Sequence, residues 1–405
     1  MVFGRYDYAS FLAFVAYAAG SVVVPVSLVE LARELGFRLE TGGMAAGGAL
    51  HLGRTIPMVG AMLLCGFASG RWGMRRTLGV SIMLMGFGVG LCATAPVYSV
   101  LFLALAVAGL GEGVIEALAT PFVQELHTDE PGRYINFSHA FWSVGVVVTV
   151  LLSGAVLAQG VSWRVVVGMV SALSLVPAGL LLLPARPGHA YPEPPAPLNR
   201  AAVWNRIQAI LRIPRFWLFF AAMFVAGGGE FCLTFWCASY IQLHFSASAW
   251  TGGVGTACFA LGMVLGRTGW GYLLHQRHLR ALIVWSALVG TGLTVLLPRI
   301  VQLGPFFGLL FLVGTATAPF WPSVQSTCAE ELPQTDSTLL FILLACAGVP
   351  GCGIATFLLG YLGNQTGDLS RAFYLVPACY LLLALLIGWD SYVLQHSGRK
   401  ATIKQ

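Results

Sequence analysis

The sequence predicts an all-α membrane protein of twelve transmembrane helices, arranged as two pseudo-symmetric six-helix bundles. Three observations carry that expectation. Residues are 57% hydrophobic and only 9% charged, with a mean hydropathy of +0.80, whereas a soluble domain carries about 25% charged residues. Apolar runs recur along the whole chain, and about 20 apolar residues suffice to cross about 30 Å of hydrocarbon as a helix. Midway the texture changes: PARPGHAYPEPPAPLNR, Pro184 to Arg200, holds six prolines, which forbid a continuous helix.

The spans fall at residues 8–31, 43–69, 77–95, 99–125, 134–157, 164–184, 214–241, 249–273, 281–297, 305–328, 337–360 and 372–392. The first run is too long for a cleavable signal and has no small-residue cleavage site after it, so it reads as a span. None shows the alternation of a membrane β-strand. The Pro-rich stretch divides the chain into an N-terminal bundle, residues 1–184, a cytoplasmic linker, 185–213, and a C-terminal bundle, 214–405, with a short cytoplasmic tail. RIQAILRIPR in the second part of the linker reads as a basic surface helix.

With the N-terminus in the cytoplasm, fifteen Lys and Arg fall on that side and five on the other, and Arg54 and Arg267 lie within spans. That bias places both termini inside. The expected setting is the plasma membrane, a bacterial inner membrane. The net charge of +6 therefore reports topology and not a nucleic-acid partner. All nine cysteines sit in apolar runs as small buried hydrophobes. No cofactor or metal is expected, and no nucleophile–base constellation marks an enzyme. Asn136-Phe-Ser and Asn364-Gln-Thr match the glycosylation pattern and receive no role.

Each half echoes the other. A basic loop follows each second span, GRWGMRR at Gly70 to Arg76 and HQRHLR at His275 to Arg280, and each second span contains LGRT, at Leu52–Thr55 and Leu265–Thr268. Twelve helices as two repeats around a central loop is the architecture of the major facilitator transporters, which the sequence resembles. The loop GFASGRWGMRR is similar to that family's G-x-x-x-D-R-x-G-R-R between spans two and three, with Gly70 in place of Asp. The resemblance makes Gly66, Arg71, Gly73, Arg75 and Arg76 a gating loop.

The fourth span ends in GLGEGVIEALATPFVQEL, Gly109 to Leu126, with Glu112 and Glu116 one helical turn apart and nothing basic beside them. A charged carboxylate at the bilayer centre costs several kcal/mol, and two on one face repel. At least one therefore spends time protonated, which is what a proton-coupled carrier requires; a neutral hydrogen-bonded structural Glu is the other reading. EALATPFVQEL and GRYINFSHAFWSVG, Glu116 to Leu126 and Gly132 to Gly145, resemble the fucose/hexose:proton symporter branch, with its E-x-x-A-N-P-F-V and R-x-N-x-x-Q-x-F-N-S-x-G. Glu116 falls on that branch's proton-coupling Glu. Thr120 stands where the branch has Asn, and Ser27 stands near its span-one Asp. His139 and Trp142 fall at sugar-contacting positions.

The resemblance implies proton-coupled uptake of a neutral monosaccharide or related small polar solute by a monomer, with Glu116 and Glu112 in proton coupling. Asn136, His139 and Ser143 form a polar stripe on span five. GGGEFCLTFWCASYI, PFWPSVQS and CAGVPGCG resemble the branch's spans seven, ten and eleven. The expected substrate-binding set is Asn136, His139, Trp142, Glu230, Trp236, Trp321 and Gln325, the indoles stacking on sugar C–H faces; a satisfied core histidine at 139, plain packing of the indoles and a structural hydrogen bond from Glu230 are the other readings. Arg54 lies deep and calls for a partner: an acidic one makes it structural, whereas an unpaired Arg54 points to an anionic substrate. Arg267 reaches either a charge partner or the cytoplasmic surface. The same architecture also admits an exporter of drugs or metabolites, a sodium-coupled or uncoupled carrier, and a non-transporting membrane sensor.

Overall fold

The computed structural model describes residues 3–127, 131–184, 200–273 and 278–402. The Pro-rich stretch 185–199, His275 to Arg277 of the second basic loop and the Asn136 side chain lie outside that description. Among the described residues, twelve helices are long and apolar enough to cross a membrane. They are α1 (Arg5–Glu34), α2 (Met44–Trp72), α3 (Met74–Thr94), α4 (Tyr98–Leu126), α5 (Phe137–Ala158), α6 (Trp163–Leu182), α7 (Pro214–His244), α8 (Ala249–Trp270), α9 (Leu279–Arg299), α10 (Leu303–Glu331), α11 (Leu339–Thr366) and α12 (Leu369–Tyr392). A shorter helix, Arg200–Leu211, precedes α7.

Within the first six helices, α4 packs on α2 and α3, and α1 on α5 and α6. Within the second six, α7 packs on α8, α11 and α12, and α10 on α8. The halves meet chiefly as α2 against α11 and α5 against α8, each second helix against the fifth of the other half. That exchange is the signature of a pseudo-two-fold axis.

Glycines set how closely these seams approach. A Cβ on Gly253 of α8 would stand 2.3 Å from the Val150 carbonyl oxygen of α5, and one on Gly48 of α2 would stand 2.8 Å from the Phe357 Cα of α11. Small residues let backbones touch where lipid offers no hydrophobic drive. These contacts lie at the end of the molecule away from the termini, where α2 and α8 begin and α5 and α11 finish. Toward the terminus-bearing end, Gly60, Gly66 and Gly70 of α2 and Gly269 of α8 face no atom within 4 Å of a built Cβ.

Several spans carry internal prolines: Pro25 in α1, Pro57 in α2, Pro121 in α4 and Pro350 in α11. A helical proline donates no hydrogen bond, so the carbonyl four residues earlier is left open. In α10 the helix breaks between Thr317 and Phe320. The carbonyls left open by Pro25 of α1 and by Pro322, just past the break in α10, shape the site.

Candidate functional site

The site begins with the glycines of α4. A Cβ on Gly109 would stand 2.2 Å from the Arg54 carbonyl oxygen, and one on Gly113 would stand 2.2 Å from that of Met58. Because α4 presses on α2 so closely, Glu112 meets Arg54. The Arg54 Nε donates to Glu112 Oε2 at 2.5 Å, and the other arm of the fork donates to Oε1. Both side chains are fully enclosed, with Arg54 2% exposed and Glu112 0%. Arg54 also donates to the Ser21 carbonyl at 3.3 Å and to Ser21 Oγ at 3.1 Å. Ser21 lies four residues before Pro25, so its carbonyl is the one that proline leaves open. One guanidinium thus neutralises a buried carboxylate and repairs a helix break, joining α1, α2 and α4.

Arg267 on α8 repeats the device in the other half. It donates to Glu230 Oε1 of α7 at 3.0 Å, and its Nε reaches the Ala318 carbonyl at 3.4 Å. Ala318 lies four residues before Pro322 in the broken α10. The same guanidinium then crosses to the N-terminal half. It reaches Ser143 Oγ of α5 at 3.4 Å and stands 5.8 Å from the Trp142 ring centroid, a cation–π distance. Arg267 therefore points inward and does not snorkel. Glu230 keeps one buried oxygen, Oε2, without a partner.

Glu116 sits one turn beyond Glu112, partly buried. The Tyr17 hydroxyl of α1 is its hydrogen-bonding neighbour, and Arg267 and Glu230 lie within electrostatic reach. Among the described residues Glu116 forms no salt bridge. The next turn of α4 brings Thr120 Oγ1 to His139 Nε2 at 2.8 Å, and the His139 ring lies 4.7 Å from the Phe14 ring. Glu116, His139, Trp142 and Glu230 are thus gathered around Arg267 where the two halves face each other.

The Major Facilitator Superfamily profile matches residues 9–351. The chain belongs to the major facilitator superfamily. This facilitator chain is a multi-pass membrane transporter and not an enzyme. It is 29% identical over 262 residues to an MFS-type efflux pump of Mycolicibacterium smegmatis, a stretch covering 59% of the chain and 58% of the pump. It is 30% identical over 124 residues to the efflux pump FUS6 of Gibberella moniliformis, covering 30% of the chain and 22% of that protein. The matches thus span less than two thirds of either relative. Among solved structures it is similar to the transporter FucP in its outward conformation, with TM-score 0.66 and 15% identity over 95% of the chain and 99% of FucP. It is also similar to a D-xylose–proton symporter, with TM-score 0.72 and 13% identity over 95% of the chain and 96% of the symporter. At those identities the likeness is one of fold.

The remaining expected site residues of this facilitator chain lie elsewhere. Trp236 is fully buried against Gly47 and Gly360, and its indole N–H donates to the Thr356 carbonyl at 2.9 Å. It sits in the closed seam. Trp321 packs over Gly348 of α11, and Gln325 follows one turn along α10, partly buried. In the loop after α2, Gly73 has φ +80, a backbone region that favours glycine. Arg75 donates to the Leu181 carbonyl at the end of α6, while Arg71 and Arg76 are exposed. At the same end, Arg215 chelates Asp390 through two 2.8 Å bonds and pairs with Glu331, which also pairs with Arg280.

Sequence reasoning passed over Tyr17, Ser21 and His51. The His51 ring stacks on Phe231 of the other half at 4.5 Å, and its buried Nε2 has no partner. None of the three carries a formal charge at neutral pH, so no insertion cost draws the eye to them. No group of three His, Cys, Asp or Glu suited to a metal occurs among the described residues, and all nine cysteines are free.

Proposed function

We propose that this transporter couples proton movement to the passage of a small neutral hydroxyl-rich solute, such as a monosaccharide, with Glu116 as the proton carrier. The observation that supports it is the contrast among three intramembrane glutamates. Glu112 and Glu230 are each held by an arginine, whereas Glu116 is not, and it lies where the halves face each other. A carboxylate without a fixed counter-ion can take a proton from one side and release it to the other as the halves rock. Arg267 stands ready as the charge that steadies the deprotonated form. His139, Thr120, Trp142 and Ser143 then offer hydrogen bonds and one aromatic face to a solute. In this reading the protein is a monomer with both termini cytoplasmic in a bacterial inner membrane, and residues 185–213 link bundles 1–184 and 214–405.

The test is external pH in lightly buffered, de-energised cells expressing the protein, across a panel of sugars. One sugar should alkalinise the medium, and Glu116→Gln should abolish that signal while the protein still reaches the membrane. Sugar entry without a pH change would remove Glu116 from coupling. The names of the two sequence relatives favour a second reading, export of a drug or metabolite in exchange for protons through the same carboxylate. Everted vesicles separate the two: an acid-inside gradient would then drive accumulation of a dye or drug, and no sugar would respond.

A further inference from the structure

Helix α2 begins without a cap of its own. Its N-cap is Gly43, which has no side chain to accept from the first turn. No other residue fits there, because a Cβ on Gly43 would fall 1.7 Å from the Phe37 carbonyl oxygen. The first N–H groups of a helix need acceptors from outside the helix. Here one comes from the opposite half. Asn364 Oδ1, near the end of α11, accepts the Met44 N–H at 3.0 Å, and its Nδ2 donates to the Gly42 carbonyl at 2.6 Å. Beside this amide two glycines of α11 meet the start of α2: a Cβ on Gly360 would stand 2.3 Å from the Met44 carbonyl oxygen, and one on Gly363 would stand 2.7 Å from Met44 Sδ.

We infer that Asn364 is the latch of the terminus-distal gate, a helix cap supplied across the interface that exists only while this end is closed. The amide reads the start of α2 through one acceptor and one donor. Both bonds join the two halves, so parting the α2–α11 seam breaks both together. The dipole at a helix start favours the oxygen that Asn364 presents. The latch is independent of which solute or ion the transporter carries. It also gives a use to an asparagine whose Asn-x-Thr context reads by itself as a glycosylation pattern.

The test is hydrogen–deuterium exchange on the intact protein in nanodiscs. Losing two net hydrogen bonds, one of them the cap, shifts the closed–open balance by about tenfold. Asn364→Ala should therefore speed exchange severalfold at the start of α2. It should also speed exchange at the start of α8, around Gly253, a seam that Asn364 does not touch but that must open in the same rigid-body movement. Asn364→Asp keeps an acceptor for Met44 but turns a second carboxylate oxygen toward the Gly42 carbonyl, so it should also loosen both seams, and it carries the test if the alanine variant misfolds. Faster exchange confined to residues 42–48 would make Asn364 an ordinary cap and overturn the latch. No change at either seam would overturn it as well.

Discussion

Replacing Arg54 with methionine is the sharpest probe of how the first half is held together. The arginine makes four bonds, two to Glu112 and two to Ser21, in a site where it is 2% exposed and Glu112 is 0%. Its removal strands a carboxylate away from water and reopens the Ser21 carbonyl below Pro25. Breaking one side of a buried ion pair costs about 3–5 kcal/mol. The carbonyl adds to this, about 1–3 kcal/mol if nothing replaces its donor, while proton uptake by Glu112 limits the total. A net loss of about 4 kcal/mol is therefore expected for Arg54→Met. Glu112→Gln should cost a similar amount, because it leaves the guanidinium buried. Both substitutions together remove the uncompensated charge, so the double variant should be more stable than the sum of the singles implies, with a coupling energy of about 2 kcal/mol or more. Equilibrium unfolding by SDS titration in mixed micelles, run on the four proteins of the cycle, measures each term. If Arg54→Met lies within about 1 kcal/mol of the parent, or if the singles simply add, the pair is not closed to water and the reasoning fails.

Three further outcomes follow from the packing. Gly253→Val would drive side-chain atoms into the Val150 carbonyl, 2.3 Å from where its Cβ must go. Solute flux should fall to background while the helices of each half still form, read by vesicle uptake beside circular dichroism. Trp236→Phe loses one buried hydrogen bond to Thr356 and should cost about 1 kcal/mol in the same SDS titration, with the half-saturating solute concentration unchanged; a several-fold rise would return Trp236 to the solute site. Arg215→Gln removes a bidentate pair with Asp390 and a second pair with Glu331, about a quarter exposed on the arginine side. Screening reduces such a pair to about 1–2 kcal/mol, and limited proteolysis should cut the loop between α10 and α11 sooner.

Hydropathy made the helices legible because each span must bury its backbone polar groups alone. The first span was expected at 8–31 and runs Arg5–Glu34, and the tenth was expected at 305–328 and runs Leu303–Glu331. The overshoot is polar: helices continue past the apolar run wherever charged ends such as Arg5, Glu34 and Glu331 find partners. Side-chain pairing was less legible, since it depends on how each helix is rotated. Arg54 and Arg267 sit in identical LGRT stretches, and both close on a glutamate. Yet one pairs with α4 and the other with α7, which no spacing along the chain foretells. Glu112 and Glu116 read as twins on one face, and a glycine contact on one side of α4 gives them different neighbours. Trp236 read as a sugar platform because aromatic residues near a cavity usually have an open face. The glycines at 47 and 360 that bury it sit in other spans.

The twice-used repair of a proline break by a paired arginine has a consequence for how such a chain can change over generations. Pro25, Ser21, Arg54 and Glu112 form a closed circle in which each residue is tolerable because of the next. Losing the proline alone leaves the arginine a carbonyl that its own helix already satisfies. Losing the arginine alone strands the acid, and losing the acid alone strands the arginine. Losing either partner of the ion pair alone is destabilising, although a chain with both replaced can be sound. Lineages descended from this protein should therefore keep the arginine and its glutamate together or lose them together, while the unpaired Glu116 one turn away is free to drift wherever coupling is no longer under selection.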